Sequence, residues 1–270
     1  MSSRDSMQPL KNFTARKIHV IFTDIDDTLT DEGLLRDDAY ASLWRLHERG
    51  IKIVPVTGRP AGWCEMIARF WPVHGVIGEN GGFYFRYDSP KRKMIRHFVF
   101  NEAVMAKNRA ALENIKTDVL KEVPGCAIAS DQFSRLMDLA VDFAEDVGPL
   151  SKDDVSKIVR VFEKHGAVAK VSSIHVNGWF GNYDKLSMTK TYCERELGFS
   201  FEEKNKAGEL IFCGDSPNDE PMFEAFTNSF AVANIVKFAD RLQHKPSFVA
   251  TREGGHGFVQ IAARVLSKGS

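Results

Sequence analysis

The 270-residue chain lacks a net charge of either sign: 36 Lys and Arg balance 36 Asp and Glu. That balance removes any global electrostatic case for binding nucleic acid or an anionic membrane surface, so anion recognition has to be local. Long apolar runs are missing too. None approaches the roughly 20 residues of a membrane-spanning helix, and the opening MSSRDSMQPLKNF carries charges where a secretory leader has an apolar stretch. Cysteine is sparse: Cys64, Cys126, Cys193 and Cys213 show no CxxC spacing. That usage fits reduced thiols and a cytoplasmic protein better than a disulfide framework. Internal repeats and low-complexity tracts are absent. What remains is an ordinary globular composition, 43% hydrophobic, with enough residues for one large core or a core carrying an inserted second domain.

The first segment alternates strand and helix. KIHVIFTD reads as a buried strand, DDAYASLWRLHERG as a helix with Ala39, Leu43 and Leu46 at helical spacing, IKIVPVTG as a strand, then a helix from Pro60 to about Phe70 and the short strand HGVIG. Pro55 resists, because it cannot donate to a sheet ladder. The rhythm returns late, with GELIFCGDS, a helix over Pro217 to Phe226, SFAVA, a short helix, PSFVAT, and a closing helix from Gly257 to Leu266. Such alternation implies right-handed crossovers and one doubly wound parallel sheet of the Rossmann-like kind, with helices on both faces. Between the halves the pattern changes to a helix over Glu102 to Lys121, the strand LMDLAVDF, a helix opened by Ser151 with Asp154 three residues on, and the strand AVAKVSSIHV. The expectation is an α/β fold with a core built from residues 1–83 and 182–270 and a smaller inserted α/β cap domain at 84–181.

Polar clusters follow four of the expected strands, at the edge where parallel sheets carry their sites. They are Asp24 and Asp26 with Thr28; Thr57 and Gly58; Lys185, opening the helix that returns from the insert; and Asp215 with Asn218 and Asp219. Several carboxylates make a hard oxygen site suited to Mg²⁺, while a lysine, a threonine hydroxyl and turn amides are the donors a phosphoryl group needs. The chemistry points to phosphoryl transfer more naturally than to acyl or hydride transfer.

In that order and spacing, DIDDTLT, VTGRP, the lysine of YDKLS and GDSPNDEPMF resemble the four motifs of the haloacid dehalogenase superfamily. The likeness is nearest to its phosphatases with a large α/β cap, a group that includes sugar-phosphate, sucrose-phosphate, trehalose-phosphate and mannosylphosphoglycerate phosphatases; GENGG at 78–82 resembles that group as well. The resemblance implies Asp24 as the nucleophile that forms an aspartyl-phosphate and Asp26 as general acid and then base. It implies Mg²⁺ held by Asp24, the Asp26 backbone carbonyl and Asp215, with Asp219 as a further ligand or neighbour. Thr57, the Gly58 amide and Lys185 would bind phosphoryl oxygens. The implied substrate is a small phosphorylated metabolite such as a sugar or polyol phosphate, with no nucleic-acid or membrane partner. An acid at Asp26 favours P–O hydrolysis, since dehalogenase members lack it. One departure is Asp27, where capped phosphatases often carry Gly, and it reads as turn structure.

Rival readings share parts of this set: a phosphotransferase or mutase using the same nucleophile, or a receiver-like regulatory domain, which is about half this length. Arg59 reads as a structural salt bridge, His19 as strand packing and His256 as loop structure. Asn80 and Asn218 are candidate substrate contacts. So are Ser173, His175 and Asn177, which alternate along a strand whose face could look onto the site or onto solvent. Arg86 and Arg135 could bind a second anionic group.

Overall fold

The computed structural model describes residues 7–14, 17–172 and 174–267. A six-stranded parallel sheet runs in the order Gln8–Pro9, Phe248–Val249, Asn228–Ala231, Leu210–Gly214, Val20–Thr23, Lys52–Pro55. Its central strands are apolar throughout because both faces are covered. Ile21, Ile53, Ile211, Cys213 and Phe230 point to one side, against Leu43, Leu46, Ile67, Phe258 and Ile261. Val20, Phe22, Val54, Leu210 and Phe212 point to the other, against Met188, Tyr192, Phe223 and Phe226. The expected α/β class and doubly wound core are therefore present.

Pro55 sits where its missing N–H is harmless. The Lys52 and Val56 amides donate to the His19 and Thr23 carbonyls at 3.0 and 2.8 Å, so the intervening odd residues face away from that neighbour. On that side the His74 amide donates to the Ile53 carbonyl at 2.8 Å, and the bridge to the Val76–Gly78 strand forms at Val56, opposite Ile77. Antiparallel strands Phe83–Asp88 and Lys93–Phe98 extend the Val76–Gly78 strand.

A second, four-stranded antiparallel sheet comprises Val168–Val171, His175–Trp179, Leu139–Asp142 and Ala127–Ile128. One face carries Leu139, Val141 and Val176 against helices Glu102–Glu122 and Lys152–Lys164, through Leu112, Ile115, Val119, Ile158 and Phe162. The second helix starts as its sequence indicates, with the Ser151 hydroxyl accepting from the Asp154 amide at 3.2 Å.

Three expectations need correcting. AVAKVSSIHV is not one strand but two antiparallel ones, Val168–Val171 and His175–Trp179. The Ser172 hydroxyl makes the reversal, accepting from the His175 amide at 2.9 Å and donating to the His175 carbonyl at 3.0 Å. The closing helix begins at Gly254 rather than Gly257, so His256 is helical, with Nδ1 3.1 Å from Asp38. Its first residues pack so closely on the Leu29–Asp31 backbone that side chains at 254 and 255 would overlap it, which is why a glycine pair opens this helix. His19 does not pack inward. It lies partly exposed, 3.2 Å from Glu209.

Candidate active site

The chain order reverses direction across the sheet between Val20–Thr23 and Leu210–Gly214, and ligands of open α/β sheets bind at the carboxyl ends of strands at such a point. Asp24 and Asp215 stand there. The Asp24 amide donates to the Cys213 carbonyl at 2.9 Å, which continues the ladder by one residue and fixes where the side chain leaves the sheet. Oδ1 of Asp24 accepts from the Ile25 amide at 2.9 Å, and Oδ2 lies 3.2 Å from Lys185 Nζ.

Asp215 accepts from the Thr28 hydroxyl at 3.1 Å, and its amide donates to Asp219 Oδ2 at 3.2 Å. Asp219 is fully buried and takes the Lys185 ammonium on Oδ1 at 2.9 Å. Asp24, Asp215 and Asp219 each bring a carboxylate oxygen within 4.8 Å of the others. Burial pushes the Asp24 carboxyl up to about 7; Lys185 opposes the rise and Asp219 and Asp26 add to it. Burial, with Asp219 and Asp24 beside it, drives Asp215 well above the usual carboxylate range. Burial works against the Lys185 charge, yet Asp219 and Asp24 outweigh it and hold the ammonium protonated. One ammonium faces three buried carboxylates, so the cluster lacks positive charge, and its all-oxygen donor set suits a hard divalent cation.

Lys185 is delivered by a short chain of local causes. It is the first residue of helix Lys185–Tyr192, capped by Asp184, whose side chain accepts from the Ser187 amide at 2.7 Å while Ser187 Oγ accepts from the Asp184 amide at 3.0 Å. Gly81, at φ +102°, lies so near this cap that any side chain there would overlap the Asp184 carbonyl.

The carboxylate of Asp26 stands outside the acid trio. Arg59 Nε donates to its two oxygens at 3.0 and 3.1 Å, and Nη2 reaches Oδ1 at 2.7 Å. The salt bridge expected of Arg59 exists, but its partner is the residue read as general acid. Nη1 of Arg59 is also 3.5 Å from Glu145, just past the Leu139–Asp142 strand, and Glu145 is 2.9 Å from His175 Nε2.

A cavity of about 420 Å³ lies between the core and the four-stranded sheet. Asp24, Asp26, Gly58, Asn80, Lys185, Asp215 and Asn218 line its floor; Arg135, Glu145, Lys170, His175 and Asn177 contribute from above. Thr57 is absent from the lining. It is fully buried, with its hydroxyl accepting from the Arg59 amide at 3.0 Å. Asp219 likewise lies beneath the lining. His175 and Asn177 face this cavity rather than solvent, and Ser173 lies outside the described residues. Arg135 reaches the site, but Asp131, Asp138 and the Gly58 carbonyl already occupy it, the last at 3.0 Å. Arg86 is bound to Glu196 and is not part of the lining.

Sequence reasoning missed Glu145, Lys170 and Glu79. Glu79 is fully buried, and its carboxylate accepts from the amides of Ala61 at 2.9 Å, Leu136 at 3.0 Å, Met137 and Asp138, tying the 57–61 loop to the chain entering the Leu139–Asp142 strand. Burial and the neighbouring Asp138 raise this carboxyl to about 8. Its place inside GENGG was the available signal.

Residues 21–122 match the haloacid dehalogenase-like hydrolases. The chain is 25% identical over 248 residues to the phosphoglycolate phosphatase of Thermoplasma acidophilum, an alignment covering 90% of this chain and 96% of that one. The crystal structure of Thermoplasma acidophilum 0175 superposes with a TM-score of 0.71 at 19% identity, covering 93% of this chain and 99% of that one. The Synechocystis sucrose-phosphatase, solved with sucrose and phosphate, gives 0.63 at 14% identity, covering 93% and 98%. The two structures share its fold. Among the described residues no helix is long and apolar enough to cross a membrane.

Proposed function

We propose that the protein is a Mg²⁺-dependent phosphatase that hydrolyses a small phosphomonoester through an aspartyl-phosphate on Asp24. The observation that carries this reading is the convergence of Asp24, Asp215, Asp219 and Lys185 at one switch point beneath a closed-over cavity. Residues 84–181 act as the cap, which excludes bulk water and selects the leaving group. The match to a phosphoglycolate phosphatase over nearly all of both chains supports the reaction class. The substrate is a sugar or polyol phosphate, or a phosphorylated hydroxy acid of similar size. The four free cysteines fit a cytoplasmic setting.

In this mechanism an Asp24 oxygen attacks phosphorus, the bond from phosphorus to the ester oxygen breaks, and the departing alkoxide takes a proton from Asp26. Asp26 then removes a proton from water, which attacks the aspartyl-phosphate and releases inorganic phosphate. Lys185 and the Gly58 amide hold phosphoryl oxygens, Thr57 braces the loop from below, and Arg59 orients Asp26. Mg²⁺ held by Asp24, Asp215, Asp219 and the Asp26 carbonyl would supply the positive charge that lets a phosphate approach buried carboxylates.

The test is release of inorganic phosphate from a panel of phosphomonoesters with Mg²⁺ and with EDTA, for wild type and Asp24→Asn. Turnover that needs Mg²⁺ and disappears in Asp24→Asn is expected; equal turnover by the two proteins would refute the mechanism. A phosphotransferase would instead consume the ester only when a sugar acceptor is supplied, and would yield a phosphorylated sugar in place of inorganic phosphate.

A further inference from the structure

We infer that the leaving group of the substrate carries an anionic group, a carboxylate or a second phosphate, and that Lys170 is the residue that selects it. This rests on the phosphatase reading above and adds the side of the cavity that faces away from the chemistry.

The roof of the cavity is one face of the four-stranded sheet. Register pairs Lys170 with Asn177, and Asn177 with Ala140, while Asp142 pairs with His175. Side chains alternate along strands, so Lys170, His175 and Asn177 share the face opposite Val141 and Val176, which pack on the helices. The ionisable groups of this face have a charged or hydrogen-bonding neighbour, with one exception. His175 is 2.9 Å from Glu145, and Asn177 Nδ2 donates to Asp138 at 3.1 Å. The Asp142 carboxylate takes the amides of Ala144, Glu145 and Asp146, and the Ser172 hydroxyl is spent on its own turn. The other cations lining the cavity are paired as well: Arg59 with Asp26 and Glu145, Arg135 with Asp131 and Asp138, Lys185 with Asp24 and Asp219. Among the described residues Lys170 alone lines the cavity as a cation with no acidic group within ion-pair distance.

Position makes that vacancy selective. The phosphoryl group is held on the floor by Lys185 and the 57–58 loop, so a group on the roof meets the alcohol that departs. A neutral polyol would offer the Lys170 ammonium no opposite charge. An anion on the alcohol would gain a charge-assisted contact with the Lys170 ammonium. The modest volume, about 420 Å³, keeps that anion within a few bonds of the ester.

The test compares matched phosphomonoesters: ethyl phosphate against 2-phosphoglycolate for a carboxylate, and glucose 6-phosphate against glucose 1,6-bisphosphate for a second phosphate. kcat/KM is measured for wild type, Lys170→Met and Lys170→Arg. The wild type should prefer one anionic ester over its neutral match, and which pair shows the preference identifies the anion. Lys170→Met should lower kcat/KM for that ester about tenfold, mainly through KM, and leave the neutral ester within about twofold. Lys170→Arg should keep the preference. Equal losses on both members of the pair, or an unchanged preference in Lys170→Met, would overturn the assignment while leaving the phosphatase reading intact. No turnover of any ester by wild type would defeat both.

Discussion

The acid cluster makes a prediction about stability that needs no substrate. Asp24 is displaced from an ordinary 3.8 to about 7, chiefly by burial. At about 1.4 kcal/mol per pH unit, that displacement disfavours the ionised fold by about 4 kcal/mol. The folded chain holds this proton more tightly than the unfolded chain, so the contribution is complete below the unfolded value and is lost as pH rises through about 7. Between pH 5 and pH 8 the loss from Asp24 alone comes to about 3 kcal/mol. Asp215, raised by burial and its acidic neighbours, adds in the same direction. The measurement is urea unfolding followed by tryptophan fluorescence in EDTA, at pH 5 and pH 8, for wild type and Asp24→Asn. Other carboxyls titrate in both proteins, so the difference between the two isolates Asp24. Asp24→Asn should gain about 3 kcal/mol relative to wild type at pH 8 over what it gains at pH 5. Adding Mg²⁺ at a hundred times its Kd should raise wild-type stability at pH 8 by about 2.7 kcal/mol and Asp24→Asn by much less. Parallel pH curves for the two proteins in EDTA would refute the claim that this carboxylate is buried at a cost.

Asp27 adopts φ +56°, a left-handed conformation that glycine accepts more readily, so Asp27→Gly should unfold within about 1 kcal/mol of wild type and keep phosphatase turnover within about twofold. Gly81→Ala faces both a φ of +102° and overlap with the Asp184 carbonyl; thermal unfolding should report a loss of at least about 2 kcal/mol, with a larger fall in kcat than Asp27→Gly produces. Glu79→Ala would leave the Ala61, Leu136, Met137 and Asp138 amides without their buried acceptor, and a loss of about 3–5 kcal/mol in urea unfolding is expected.

The parallel core was legible because strands covered on both faces must be apolar throughout, and VIFT and LIFCG meet that demand without needing any partner to be known. The acid trio was legible because its members follow those strands directly, and a sheet's geometry turns strand ends into neighbours. Two kinds of feature escaped. The reversal at Ser172 hides inside an alternating pattern that continues on both sides of it, since a hydroxyl that serves a turn looks in sequence like one that serves a strand. The pairing of Arg59 with Asp26 joins residues 33 apart in sequence through side chains alone, and no local periodicity records it. Lys170 escaped for the opposite reason: its significance lies in the contacts its neighbours make and it does not.

The four-stranded sheet and the floor of the site are mechanically joined. The chain passes from the parallel sheet toward the four-stranded one through Glu79, Asn80 and Gly81 and comes back through Asp184 and Lys185, and Gly81 lies directly against Asp184. The outgoing turn carries Asn80 beside Gly58, and the returning helix carries the ammonium that offsets Asp24 and Asp219. Glu79 then binds the amides of 136–138, so the Leu139–Asp142 strand of the roof is tied to the same turn. A displacement of the roof that strained these two linkers would move Lys185 relative to Asp24, at a separation of 3.2 Å where the Coulomb energy changes steeply. The position of the roof and the charge balance of the floor are therefore coupled at the turn that Gly81 and Glu79 share, and Gly81, packed on the Asp184 carbonyl, is a position where a one-carbon change should disturb both at once.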